Sequence, residues 1–166
     1  MDLTPDQVRA FVGPKADYYL ERWPPIHDEW GSRALGFNWA ACFLNLSWLL
    51  YRRMYRCFWI AGAVWIGSLL LLMLASVAAL LIKANGLILL LAIGLMVMPI
   101  VFAVTFGVFG NYWYYLHARR QVSRLTTDGP ADLEAVGRIG GTNLRGAMVF
   151  SVVCAILGIW GEFLSK

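Results

Sequence analysis

Two long apolar runs, residues 58–82 and 87–109, contain no charged side chain, and only Lys83-Ala84-Asn85-Gly86 separates them. At 25 and 23 residues, each exceeds the roughly 20 that an α-helix needs to cross bilayer hydrocarbon. Hydrocarbon offers no water to bond an open backbone, so a single run crosses it as a helix. The pattern predicts a transmembrane hairpin closed by a four-residue turn. Gly62 and Gly67 offer places of close helix approach in the first span. Pro99 predicts a kink near the middle of the second, because proline removes a backbone donor and crowds the preceding turn.

Around this hairpin the chain divides unevenly. Hydrophobic residues make up 60% of the 166 positions, against about 45–50% in soluble domains. Residues 1–34 carry six acids and four bases, whereas the remainder carries ten bases and four acids. The basic part is the membrane part, so the net charge of +4 reflects topology and does not indicate a nucleic-acid partner. Arg52, Arg53 and Arg56 precede the first span. Arg119, Arg120, Arg124, Arg138 and Arg145 follow the second. The positive-inside rule places both arginine groups in the cytoplasm and Lys83 outside. The N-terminus lacks the basic and apolar regions of a signal peptide, so no cleavage is expected.

The acidic region 1–34 predicts short helices. Thr4-Pro5-Asp6-Gln7 has a capping residue, a proline suited to the first helical position, and a glutamine where a capping box needs one. Gly13-Pro14 interrupts this helix, a second one follows, and Pro24-Pro25 requires that to stop by Trp23. Residues 24–36 read as a connecting loop. In 35–57, Trp39, Phe43, Leu46, Leu50 and Met54 recur at helical spacing. The uncharged part, 35–51, is at the short edge for a span, and its expected place is the interface, lying flat or partly inserted. If it crosses instead, only residues 1–34 change side.

After the second span, the order apolar, aromatic, basic through Asn111, Tyr112, Trp113, Tyr114, Tyr115, His117 and Arg119 marks an exit through a membrane interface along a continuing helix. Within the extension and loop 110–143, Asp128-Gly129-Pro130 predicts the start of a short helix and Gly140-Gly141 its end. The segment 144–164 supplies a third span. Its Ala147, Ser151, Ala155 and Gly158 form a small-residue ridge expected to pack against the other spans. The expected fold class is thus all-α: an integral membrane protein with three transmembrane helices, an interfacial helix and short N-terminal helices.

Several blocks bring a family into view: Ala10-Phe11-Val12-Gly13-Pro14-Lys15-Ala16-Asp17-Tyr18-Tyr19-Leu20, Phe37-Asn38-Trp39-Ala40-Ala41-Cys42-Phe43, Trp48-Leu49-Leu50-Tyr51-Arg52-Arg53-Met54-Tyr55, Gly110-Asn111-Tyr112 and Gly140-Gly141-Thr142. Together they resemble the DUF2628 family of small bacterial membrane proteins, over most of the chain. The resemblance implies a bacterial inner membrane and implies no activity. The family has Gly-Pro where this chain has Asn45-Leu46, so the resemblance alone carries no bend to that position.

Chemistry-bearing patterns are sparse. His27-Asp28-Glu29 is the one candidate metal or acid/base cluster, and adjacent residues diverge on any regular element, so an exposed loop is the expected reading. Gly137-Arg138-Ile139-Gly140-Gly141-Thr142 lacks the Lys-Ser/Thr ending of a phosphate loop and reads as helix punctuation. Cys42, Cys57 and Cys154 show no metal or disulfide spacing and are expected to be reduced thiols. No cofactor and no enzymatic activity are expected. The first two spans hold no ionisable group of the kind that marks a transport pathway, although Asn111 or Thr105 could line an oligomeric pore. The arginines Arg52, Arg53, Arg56, Arg119, Arg120 and Arg124, with Trp113, are expected to meet anionic lipid headgroups. The expected partners are the bilayer itself and a membrane protein or a second copy of the chain. The expected function is that of a non-enzymatic accessory or scaffold protein, the alternative being a small channel or transporter subunit.

Overall fold

A computed structural model describes residues 3–23, 36–125 and 132–164. His27, Asp28 and Glu29, most of the 24–36 loop, and Asp128-Gly129-Pro130 lie outside the described residues. The described chain is all-α: α1 (Pro5–Val12), α2 (Ala16–Leu20), α3 (Trp39–Tyr51), α4 (Tyr55–Leu81), α5 (Asn85–Leu125), α6 (Leu133–Ile139) and α7 (Leu144–Leu164).

Helices α4, α5 and α7 are long and apolar enough to cross a membrane, and their most apolar stretches are almost entirely exposed. Such surfaces are stable only where hydrocarbon, not water, surrounds them. This is a multi-pass membrane protein. The α4–α5 turn closes with a Schellman pair, Lys83 N–H to Leu80 O and Ala84 N–H to Ala79 O, with Lys83 left-handed at φ 54°. That geometry satisfies the last carbonyls of α4. Helix α5 continues unbroken past its apolar part. Its 41 residues, Pro99 among them, give a length along the helix of about 62 Å at 1.5 Å per residue.

The core lies at the basic end, around the α5 extension. Thr4 accepts from Gln7 N–H while the Gln7 side chain accepts from Thr4 N–H, so the capping box forms as the sequence predicts. Val8, Phe11, Val12, Ala16, Tyr19 and Trp23 from the N-terminal helices bury together with Tyr114, Ala118 and Val122 of α5 and Val136 of α6. Gly141 N–H donates to Phe11 O at 2.7 Å, and a Cβ on Gly140 would lie 2.2 Å from the same oxygen. The Gly140-Gly141 pair thus does more than end α6: it lets the α6 backbone touch the end of α1.

Helix α3 has 13 residues, about 20 Å of rise against a hydrocarbon core of about 30 Å. It is also bent. Asn45 has φ 44° and ψ −117°, outside the helical region, and asparagine tolerates positive φ better than most residues. The bend falls at Asn45-Leu46. The half before the bend lies on α5, and the half after it returns to the base, where Tyr51 O accepts from Asn143 N–H.

Candidate functional site

The α3–α5 crossing sets the geometry of the base. A Cβ on Gly107 would lie 2.4 Å from the Phe37 ring, and one on Gly110 would lie 2.7 Å from Ala41 Cβ. Glycine at 110 permits this approach, which brings Asn38 beside Asn111. Asn38 Nδ2 donates to Asn111 Oδ1 at 2.8 Å, and Asn38 Oδ1 caps α3 by accepting from Ala41 N–H. Asn111 Nδ2 donates to Gly36 O at 2.6 Å and reaches Tyr18 Oη at 3.5 Å. Asn111 is fully buried and spends its amide within the chain, so it does not line a pore. Thr105 donates to Val101 O on its own helix.

Beneath this crossing sits Arg52. The expectation that it meets lipid headgroups is corrected here: it is only 4% exposed. Its Nη2 donates to Tyr19 Oη at 3.0 Å, and the guanidinium lies 5.0 Å from the Tyr19 ring centroid and 4.9 Å from that of Tyr114. Burial pushes the pKa of both phenols above the ordinary tyrosine range, against the opposing pull of Arg52. Both therefore stay neutral near pH 7. Among the described residues no carboxylate pairs with Arg52, so tyrosine faces supply the electrostatic attraction, at about 0.5–2 kcal/mol per contact. The reason for the inward turn is the helix end: α3 stops at Tyr51, Arg52 is its cap and Arg53 turns left-handed, which sends the two neighbours in different directions.

Arg53 is left-handed at φ 56°. Its N–H donates to Leu50 O and the Met54 N–H to Leu49 O, a Schellman ending with arginine where glycine is usual. A side chain in this conformation costs about 1 kcal/mol. The turn delivers Arg53 to a cavity of about 540 Å³ lined by Arg53, Tyr55, His117, Gln121, Arg138, Ile139 and Asn143. Four elements meet there: the start of α4, the extension of α5, α6, and the residues leading into α7. Arg53 Nη1 donates to Arg138 O at 3.2 Å. Asn143 Nδ2 donates to Tyr55 Oη at 3.1 Å, and Asn143 Oδ1 accepts from Gly146 N–H. Since Tyr55 accepts there, its own hydroxyl proton is free to donate. The carboxylate beside this cavity is Glu134, paired with Arg138 at 3.2 Å on an exposed face. His117 packs on the Phe11 ring at 6.1 Å, and burial followed by Arg120 and Arg124 lowers its basicity below the ordinary imidazole range.

The other expected site residues are dispersed. Arg56 is exposed on the first turn of α4, Arg119 is half-buried, and Arg120 and Arg124 are exposed along α5. Trp113 is half-buried between Phe106 and Phe109, at centroid distances of 5.4 and 5.9 Å. The small-residue ridge of α7 is corrected in part. Ala147 is buried, and the Ser151 and Ser47 hydroxyls lie 2.9 Å apart, so the ridge packs on α3 and not on the hairpin. Ala155 and Gly158 are exposed, and a Cβ on Gly158 would meet nothing within 4 Å. Helix α7 touches α4 through the Phe58–Phe150 ring pair at 5.1 Å.

The sequence does not mark Tyr55, Gln121 or Asn143 as site residues, and it offers Arg138 and Ile139 only as part of the topology count and of a phosphate-loop pattern that reads as helix punctuation. No local motif links them, since they lie on separate elements. No family model matches the chain, and neither does any curated protein or solved structure.

Proposed function

We propose that this chain is a non-enzymatic accessory or scaffold protein of a bacterial inner membrane, with its basic end and N-terminal helices in the cytoplasm. The resemblance to the DUF2628 family and the positive-inside distribution of arginines support that placement. One observation carries the scaffold reading. The apolar faces of α1 and α2 are packed within the chain, while Asp6, Lys15, Asp17 and Glu21 stand exposed on the outside of the same unit. That gives a folded, polar platform fixed to a membrane anchor, with Arg56, Arg120 and Arg124 turned out beside the spans. Polar platforms of this kind recognise partners by charge complementarity. The burial of Asn111 weighs against the alternative of a pore subunit.

The test is affinity purification of the full chain from native membranes, with Glu21→Lys and Asp17→Asn as the comparison. The reading expects a defined membrane-protein partner or second copy whose recovery falls with the charge change while thermal stability holds. Solute flux through proteoliposomes containing the pure chain, or turnover of a substrate by it, overturns the reading.

A further inference from the structure

The cavity at the foot of the spans has the chemistry of an anion site. Two guanidinium groups, an imidazole, two amides and a phenol line it, and among the described residues no carboxylate does, Glu134 standing beside it on Arg138. Its volume of about 540 Å³ falls within the range of small-ligand sites, roughly 300–1,000 Å³. The donors are held in place by the fold. Arg53 is tethered to the Arg138 carbonyl, and Tyr55 is oriented by Asn143, which is itself fixed by Gly146 N–H and by its own N–H to Tyr51 O. Arg53 occupies a left-handed position that glycine fills without strain. Non-glycine residues held in sparsely populated backbone regions cluster where a side chain is needed for function. Tyr55 opens α4 and Asn143 directly precedes α7, so the cavity lies at the level where the spans begin.

We propose that this cavity binds a phosphate-ester anion, with Arg53 and Arg138 as its charged clamps and Tyr55 and Gln121 as neutral donors. Guanidinium forks match phosphate oxygens in geometry and charge. The phosphate comes either from an anionic phospholipid headgroup or from a soluble phosphate ester. The site does not depend on the protein partner proposed above.

The test uses the full chain in nanodiscs of phosphatidylcholine, with thermal unfolding as the readout. One arm adds phosphatidylglycerol to the disc, and the other titrates glycerol 3-phosphate into the surrounding buffer. A rise in the unfolding temperature in the first arm identifies a lipid headgroup, and a rise in the second identifies a soluble ester. Arg53→Gly is the decisive variant, because it removes the clamp while relieving backbone strain. It should unfold no earlier than the parent without ligand and bind at least about tenfold more weakly, the loss of one charge-assisted hydrogen bond. Arg138→Gln, on an exposed face of α6, should weaken binding in the same way. No shift in either arm overturns the proposal. So does a shift that survives both substitutions, because that would be a general effect of surface charge.

Discussion

Asn38 donates its side-chain amide to Asn111 Oδ1 across 73 residues of sequence, with both partners buried. The bond couples the entry of α3 to the point where α5 leaves its apolar stretch. Asn111→Leu keeps approximate volume but strands the Asn38 amide and Gly36 O. The expected cost is about 1–3 kcal/mol, the usual penalty for a buried polar group left without a partner. Asn38→Ala should cost more, since it also uncaps α3. The double variant should cost less than the two single losses combined. Chemical unfolding in detergent micelles measures all three, and strict additivity would show that the two amides are not coupled.

Arg52 gives a second prediction, in two directions. Arg52→Lys retains the charge but loses the planar face that lies over Tyr19 and Tyr114, and an ammonium is more strongly hydrated. A loss of about 1–3 kcal/mol is expected, as for other broken buried polar contacts. Arg52→Met removes a buried charge that has no acidic partner among the described residues, so it should be neutral or stabilising. Equal unfolding temperatures for the lysine variant and the parent would refute the stacked arrangement.

At the α1–α6 junction, a methyl group on Gly140 meets Phe11 O at 2.2 Å. Gly140→Ala should therefore cost about 1–3 kcal/mol through overpacking and raise proteolysis near residues 12–15. Gly158→Leu is the control. Nothing lies within 4 Å of its Cβ position, so its effect should stay within about 0.5 kcal/mol.

His117 sets a pH dependence with a defined sign. Burial and the nearby Arg120 and Arg124 lower its basicity in the folded state, and Arg53 and Arg138 line the same cavity. The unfolded chain therefore takes up this proton first as pH falls below about 6.5. Stability contributed by neutral His117 is complete above that value and declines below it, until the folded state also protonates. His117→Gln should flatten this part of the stability profile between pH 7 and 5. A bound phosphate would reverse the preference by favouring the imidazolium, so ligand-induced stabilisation should grow as the pH is lowered.

Much of the architecture is legible from local chemistry. The charge-free runs, the Thr4–Gln7 capping box and the Gly140-Gly141 stop each depend on neighbours in sequence, and the structure keeps all three. The site is less legible because it depends on separation. Arg52 and Arg53 are adjacent bases with identical sequence credentials. A left-handed turn buries one among tyrosines and gives the other to a cavity. The partners of that cavity come from α4, α5, α6 and the approach to α7, and no periodic pattern joins them. The small-residue ridge misleads for a related reason. A small face permits close packing but does not name the helix that fills it, and α3 takes that place.

The unbroken length of α5 has a mechanical consequence. From Ile100 to Leu125 no proline interrupts it, so the lipid-facing part and the part carrying His117 and Gln121 move as one lever of about 39 Å. Spans lean further as the surrounding bilayer thins, and ten degrees of added lean swings the tip of this lever by about 7 Å over that length. A span tilt that follows bilayer thickness would therefore carry the His117 and Gln121 wall of the cavity with it.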